Sequence, residues 1–493
     1  MSHAMLTSGA CMRIPTVFLL TVLVSLQAAC APANDRTSQP SFAFTHVTVI
    51  DVTGGPPRAD MAVVVRGNRI VSIGPSDSVR IPTDTHQLNA AGKFLIPGLW
   101  DMHVHAAWAE TLPTFGPLFV ANGVTGVREM WGRLDLVGGS RIRLAQRRLT
   151  EPRIVAAGAL LDGSPSFWTP GSIEVTTPDQ AAEVVDSLHD AGADFIKVYS
   201  GMRRDIFEAV ARAAERRNLD VVGHVPNEVG ALDASGMGLR SNEHLTDILL
   251  SCSSREAALR ADLLRGVRNH PRDSTFFVEW RQTEPLLDTY SEDKCQALAE
   301  RLARDSTWQV PTLTVLRSAW FLTDTVDQRL EFMPAAIREG WSFGQTPLFK
   351  EWTADRELAQ RSFSRHLQIV GLLHRAGVPI MAGTDVLNPF CFPGFSLHDE
   401  LALLVEAGLT TMQALQAATL NPAIFLHATD SLGTIETGKL ADLVLLDADP
   451  LVDIHNTRRI SAVVLDGQLI DGPARHRLLN VVRAAVSTAP LQQ

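Results

Sequence analysis

The sequence predicts an α/β protein: a closed (β/α)8 barrel of the TIM type with a small β-sandwich built from N- and C-terminal segments. Three observations carry this expectation. Short alternating β-type runs occur at both ends of the chain, strand-like runs alternate with helical patterns between them, and polar, chemistry-bearing residues stand at the ends of the central runs. Barrels of this class form their active sites at the C-terminal strand ends.

The first β runs are Phe44–Ile50, Ala62–Val65 and Arg69–Gly74, separated by Gly, Pro and Asn turns. A matching β-rich piece near the other end contains Ala441–Asp447 and Ile460–Gly467. The two pieces, residues 42–93 and 429–475, are expected to pair into one sandwich, with 476–493 as a C-terminal tail.

Residues 94–428 carry the barrel pattern. Candidate strands are Phe94–Asp101, Val124–Arg128, Arg153–Ala157, Asp194–Tyr199, Asp220–His224, Arg240–His244, Trp308–Thr312 and Val378–Gly383. Helical periodicity fills several gaps, as in Asp179–Ala191 and Arg204–Arg217. Eight such units in one run favour a closed parallel barrel over an open doubly wound sheet. The stretches Leu249–Ser306 and Leu316–His374 exceed ordinary βα connections and read as helical insertions that shape or cover a pocket.

The start of the chain departs from this composition. Arg13 precedes an apolar run, Ile14–Leu26, followed by Gln27-Ala28-Ala29-Cys30-Ala31. The run is shorter than the ~20 residues a bilayer span needs, has no amphipathic period, and suits a secretory signal over residues 1–30 with a linker at 31–41. Cys30 after Ala28-Ala29 resembles a lipoprotein cleavage box, with Gln27 where that box prefers Leu. The expected location is extracytoplasmic and periplasmic, as a soluble protein or one anchored to the membrane through a lipidated Cys30.

Composition narrows the function classes. The 493 residues hold 44 Lys+Arg against 54 Asp+Glu, a formal charge of −10, and no basic block, so no nucleic-acid partner is expected. A 45% hydrophobic content and 9 Trp exclude disorder for most of the chain. The 5 cysteines show no CxxC pair and no close spacing, which excludes a disulfide scaffold and a cysteine metal site. A metal would therefore be held by histidine and oxygen.

His103 and His105 end the first candidate barrel strand. Residues i and i+2 of a strand share a face, so both imidazoles can address one centre. At other strand ends stand Lys197, His224, His244 and Asp385. Taken singly, each has an ordinary explanation: a polar surface histidine, or Asp385 capping a helix. Lys197 resists it, because a lone ammonium on the apolar strand Phe195–Tyr199 is costly unless paired or modified. Imidazole and carboxylate donors suit zinc or a similar divalent ion. A lysine carboxylated by CO2 becomes an anion able to bridge two ions that share one hydroxide.

On the substrate side, Tyr199 shares the face of Lys197, where its hydroxyl can meet a substrate carboxylate or oxyanion; barrel-top packing is the other reading. Arg128, at the second strand end, is placed to bind an anionic substrate group, or else to form a structural salt bridge with Glu129 or an acidic loop. His398 supports the site from a helix start rather than ligating, and Phe167-Trp168 either lines a pocket or packs.

The run Leu95-Ile96-Pro97-Gly98-Leu99-Trp100-Asp101-Met102-His103-Val104-His105 resembles the opening signature of the amidohydrolase superfamily. Phe195-Ile196-Lys197-Val198-Tyr199, Gly223-His224, Glu243-His244 and Gly383-Thr384-Asp385 resemble its later metal motifs in order, and Gly438–Pro450 is similar to its C-terminal β segment. The resemblance covers about Phe42 to Gly472 and is strongest to the imidazolonepropionase-like branch, which includes prolidase-like dipeptidases and carboxypeptidases. It implies His103, His105 and Asp385 on one zinc ion, His224 and His244 on a second, and carboxylated Lys197 between them. Asp385 and His244 are implied as the catalytic residues, with Asp385 taking a proton from the attacking hydroxide and passing it to the leaving amine. Imidazolonepropionase itself lacks the bridging lysine, so Lys197 argues against that reaction.

The expected activity is hydrolysis of an amide or peptide bond in a dipeptide or N-acyl amino acid, by a chain that can also form a homo-oligomer. A cyclic amide or lactone hydrolase would use the same site. A non-catalytic extracytoplasmic binding protein would predict lost ligands, and none is lost.

Overall fold

The computed structural model describes residues 41–146, 151–168, 171–269, 278, 280–321, 327–341 and 355–488. The expected signal, most of the linker, and Cys30 lie outside the described residues.

Both chain ends contribute to one eight-stranded sheet. Its strands are β1 (Ser41–Val49), β2 (Arg58–Arg66), β3 (Arg69–Pro75), β4 (His86–Asn89) and β5 (Phe94–Pro97) from the front of the chain. The order β17-β16-β15-β5-β1-β2-β3 brings in β15 (Leu443–Leu446), β16 (Ile460–Leu465) and β17 (Gln468–Ile470) from the back, and β4 pairs with β1 off that path. Strand β1 forks the sheet: one edge pairs with β2 along its length, whereas the other pairs with β4 at Phe42–Thr45 and with β5 at Thr48–Val49. The pairing of the two ends is as expected, but the hydrogen bonds form a single branched sheet rather than two separate ones. Phe44, Val47, Met61, Val63, Leu95, Leu443 and Val464 are buried together in its core. The tail segment is helical, Gly472–Thr488.

The expected strand Phe94–Asp101 is two strands. β5 belongs to the terminal sheet, and β6 (Leu99–Val104) begins a parallel sheet with β7 (Val124–Glu129) and β8 (Arg153–Ala156). Gly98 lies at the division, where a Cβ would sit 2.1 Å from Thr125 Oγ1, so the chain crosses between sheets at a residue without a side chain.

A second parallel sheet runs in the order β10-β9-β11-β12-β13-β14, from β9 (Leu160–Asp162), β10 (Ser172–Glu174), β11 (Phe195–Val198), β12 (Asp220–Gly223), β13 (Leu239–Glu243) and β14 (Trp308–Val310). The two short strands β9 and β10 were not expected. The eighth expected strand, Val378–Gly383, is irregular. It nevertheless joins the two sheets: Gln309 bridges Ile380 and Val104 bridges Val386, both in parallel, and Met102 N–H donates to Ala382 O at 2.9 Å while Asp385 N–H donates to His103 O at 2.8 Å. At the other seam, Asp194 N–H donates to Ala156 O at 2.8 Å.

Between strands, helices bury amphipathic faces as their periodicity requires. In Arg204–Arg216 the buried residues Ile206, Phe207, Val210, Ala213 and Ala214 recur at three- and four-residue spacing. Thr177 caps Pro178–Asp190 by accepting from Gln180 N–H. Among the described residues the long insertions are mainly helical, and one contains a disulfide, Cys252–Cys295, of which the spacing held no sign. Trp100, Met102, Phe195, Val222, Trp308, Val310 and Met381, from or beside the parallel strands, are buried together in a cluster of their own.

Candidate metal centre

His103 lies on β6 and His105 just beyond it, facing one way as alternation requires, with imidazole centroids 5.2 Å apart. Asp385 closes on them from the irregular segment. Its Oδ1 lies 3.0 Å from His105 Nε2 and 3.4 Å from His103 Nε2, and ligand-type atoms of the three residues fall within 4.8 Å of one another. The His244 ring lies tilted beside His103 at 4.4 Å between centroids, and His224 meets His244 edge-on at 5.0 Å. Lys197 Nζ lies 3.4 Å from His103 Nε2. The six residues expected at strand ends are thus brought to one place.

Each imidazole is oriented by a partner on its Nδ1. Glu243 Oε2 accepts from His103 Nδ1–H at 2.7 Å, and a carboxylate can only accept, so the lone pair of this ring is on Nε2, turned toward Asp385 and Lys197. His224 Nδ1 pairs with Ser200 Oγ at 2.9 Å, and His244 Nδ1 with Thr312 Oγ1 at 2.7 Å. This leaves the Nε2 atoms of both rings as the available ligand atoms. Metal-binding histidines are held in this way, with the far nitrogen fixed so the near one keeps its orientation.

The electrostatics suit a cation. Burial pushes the imidazoles of His103 and His224 well below their ordinary value, helped by neighbouring Lys197 and His244, and brings His244 to about 4. All three are therefore neutral and able to ligate at neutral pH. Burial also lowers Lys197 to about 8. Asp385 is lowered to about 2, since the attraction of His244 and His105 outweighs the opposing effect of burial. Asp385 Oδ1 and His105 Nδ1 are buried without a hydrogen-bond partner. A buried carboxylate oxygen set 3.0 and 3.4 Å from two imidazole nitrogens is an arrangement that a divalent ion would complete. The residues present fit such an ion.

Local backbone geometry contributes. His244 and Asp385 have φ of 59° and 58°, and Thr312, which holds His244, has φ of 46°. These left-handed conformations are sparsely populated for residues with a Cβ and concentrate where a side chain must turn off the strand axis. Gly223 (φ 130°) precedes His224, where a Cβ would sit 2.2 Å from Val198 O.

Two substrate-side expectations fare differently. Tyr199 stands beside the centre, its ring 4.0 Å from that of His224 and its hydroxyl accepting from Trp168 Nε1–H at 2.9 Å. Arg128 does not face a substrate. It is fully buried, with Nε donating to Met102 O (2.6 Å), one terminal nitrogen to Ser241 Oγ (2.9 Å) and the other to Glu243 Oε1 (2.8 Å). The expectation of an anion-binding role is corrected, because a guanidinium so enclosed has no route to an incoming ligand; the structural salt bridge is the reading realised, with Glu243 rather than Glu129. His398 likewise lies buried between Asn122 O (3.0 Å) and Thr457 Oγ1 (2.9 Å), and in neither contact does it meet the centre.

Several contributors were missed in the sequence. Glu243 orients His103. Asp101 accepts from Thr384 N–H (3.0 Å), Thr384 Oγ1 (2.6 Å) and His103 N–H (3.3 Å), tying β6 to the segment that carries Asp385. Glu129 accepts from Ala106 and Ala107 N–H at 2.6 and 2.7 Å and fixes the turn after His105. Asp101 was readable, since residues 101, 103 and 105 alternate on one strand face. Ser200 and Thr312 carried no signal.

Residues 321–470 match the model of the amidohydrolase family. An adenine deaminase from Rubrobacter xylanophilus is 30% identical over 431 residues, 86% of this chain; the chain spans about half (56%) of that relative's length. An imidazolonepropionase from Symbiobacterium thermophilum is 23% identical over 462 residues, covering 87% of this chain and 97% of the relative. Among solved structures, a putative prolidase from Bifidobacterium longum superposes with a TM-score of 0.64 at 23% identity, covering 92% of this chain and all of that one, which shows a shared fold.

Proposed function

We propose, for a chain that belongs to the amidohydrolase superfamily, a metal-dependent hydrolase that cleaves an amide or peptide bond in a small substrate, a dipeptide or N-acyl amino acid. The observation that carries it is the convergence of His103, His105 and Asp385, with Asp385 Oδ1 buried and unsatisfied between them. On this reading the joined parallel sheets are the (β/α)8 barrel and the branched terminal sheet is its companion domain.

His103, His105 and Asp385 would hold one divalent ion, zinc being the best match to two imidazoles and a carboxylate. His224 and His244 would hold a second, with Lys197, carboxylated on Nζ, supplying the anionic oxygens between the two. The lowered Lys197 favours this, because only the neutral amine attacks CO2 and a group at about 8 is partly neutral near pH 7. Bound metal would supply Lewis acidity and an activated water. Asp385, charged at neutral pH, would accept the proton of an attacking water and deliver it to the departing nitrogen. Neutral His244 beside it keeps its Nδ1 on Thr312, which leaves Nε2 for the second ion it would help to hold. The Tyr199 hydroxyl is suited to the developing oxyanion or a substrate carboxylate. Export to a periplasmic, oxidising compartment is part of the same reading; the leader pattern and the Cys252–Cys295 disulfide support it.

The test is elemental analysis together with hydrolysis assays on C-terminal-proline dipeptides, N-acyl amino acids, hydantoins and lactones. Bound divalent metal, loss of activity with a chelator, recovery with zinc, and a fall of about a hundred- to ten-thousand-fold in Asp385→Asn are expected. Full activity in metal-free protein would sink the reading. Carboxylation of Lys197 is checked separately by carbon NMR of protein loaded with labelled bicarbonate, where a carbamate signal absent from Lys197→Ala is expected.

A further inference from the structure

We infer that the substrate carries an aromatic or flat apolar side chain, held by a wall of aromatic residues that rises from the metal centre; this rests on the hydrolase reading above. Phe167 and Trp168, 37% and 38% exposed, are the aromatic members of the exposed large hydrophobics among the described residues. They belong to a continuous series. Trp108 meets Trp131 at 5.1 Å between ring centroids, Trp131 meets Trp168 at 5.3 Å, and Trp168 meets Phe167 at 4.8 Å. The series touches both halves of the centre: Trp131 lies 6.0 Å from the His105 ring, and Trp168 donates to Tyr199, whose ring is 4.0 Å from His224.

The described residues flanking the two rings are fastened by hydrogen bonds. Asp162 accepts from Gly163 and Gly201 N–H, each at 2.9 Å. Ser166 N–H donates to Glu174 Oε1 at 2.8 Å, and Ser166 and Ser172 pair through their hydroxyls at 2.6 Å. Trp131 Nε1–H donates to Gly171 O at 2.7 Å. Polar staples spent on holding apolar rings half in water favour a recognition surface over packing, because packing would have buried them. The wall residues are uncharged, so the complementary group is a ring or flat hydrocarbon rather than an ion, and contiguity with the metal ligands makes the occupant the substrate.

The experiment compares kcat/KM of metal-loaded wild type, Trp168→Ala and Trp168→Phe on paired substrates, Phe-Pro with Ala-Pro and N-acetylphenylalanine with N-acetylalanine. Wild type is expected to favour the aromatic member by roughly tenfold or more, as one aromatic contact allows. Both variants remove the Trp168 Nε1–H bond to the Tyr199 hydroxyl and should lower kcat/KM on all four substrates by a common factor; beyond that shared loss, Trp168→Ala should erase the aromatic preference and Trp168→Phe should keep most of it. Equal losses on both members in Trp168→Ala, or a wild-type preference for the small one, would overturn the inference. If wild type hydrolyses none of them, it is the hydrolase reading that fails on these substrates. Calorimetric binding of N-acetylphenylalanine against N-acetylalanine then decides the subsite: tighter aromatic binding lost in Trp168→Ala upholds it, and equal binding overturns it.

Discussion

Glu243 is fully buried and accepts from His103, Ser241 and Arg128, so one carboxylate both orients a candidate ligand and balances a buried guanidinium. Removing the cation would leave the carboxylate enclosed with only part of its compensation. Arg128→Met is therefore expected to lower stability by about 3–5 kcal/mol, the range for breaking a buried pair from one side. It should also weaken metal retention by roughly 10–100-fold, because His103 loses the rigidity of its support. Denaturant unfolding and metal titration would measure both, and Arg128→Lys should rescue little, since an ammonium cannot make the three-way clasp to Met102, Ser241 and Glu243. A variant as stable and as metal-retentive as wild type would show that this clasp is dispensable. The strand-end positions of the ligands were legible in the sequence, but the direction of Arg128 was not. Its place at the second strand end gave it the address of a substrate residue, and only the tertiary contacts from Arg128 on β7 to Ser241 and Glu243 on β13 show where the side chain is turned.

Among elements, the insertion between β13 and β14 carries the Cys252–Cys295 disulfide, which joins the end of Ile248–Ser251 to Glu292–Arg304 across 43 residues of chain. Closing a loop of that length contributes about 3–4 kcal/mol in the loop-entropy model. Reductant, or a Cys252→Ala/Cys295→Ala double variant, should lower the unfolding midpoint accordingly; a midpoint unmoved by either would show the bond contributes nothing. Spacing held no sign of the pair because two helices of the insertion, not a local motif, bring the sulfurs together. The same lesson applies to Phe94–Asp101, which reads as one apolar run. It is divided because Leu95 and Ile96 pair with β15 whereas Trp100 and Asp101 pair with β7, and a run of hydrophobicity says nothing about which sheet takes it.

At the scale of the molecule, the terminal sheet is fastened to the parallel strands by polar contacts. Arg153 of β8 reaches Asp442 and Asp466, each at 2.6 Å. His398, on the helix Phe395–Glu406, spans Asn122 and Thr457. Burial lowers His398 to about 4. An unfolded histidine titrates near 6.5, so between about 6.5 and 4 the unfolded chain binds a proton that the folded one refuses, and stability falls on acidification by about 1.4 kcal/mol per pH unit from this group. The stability gap between wild type and His398→Gln should accordingly narrow by roughly 2 kcal/mol from pH 6.5 to pH 5. Urea midpoints at the two pH values would read it, and a gap independent of pH would remove His398 as the cause.

The sequence by itself determined the alternation of β and α elements, the pairing of the two chain ends, and the identity of the residues that converge, because alternation and strand-end position are local properties. The tertiary structure alone decided how those residues are held: Glu243, Ser200 and Thr312 on the imidazoles, Asp101 on the irregular segment carrying Asp385, Arg128 on Glu243, and an aromatic wall alongside. The hydrogen bonds among these contacts join residues separated by 24 to 283 positions. Nothing in local composition encodes them, since each depends on which strand the fold sets beside which.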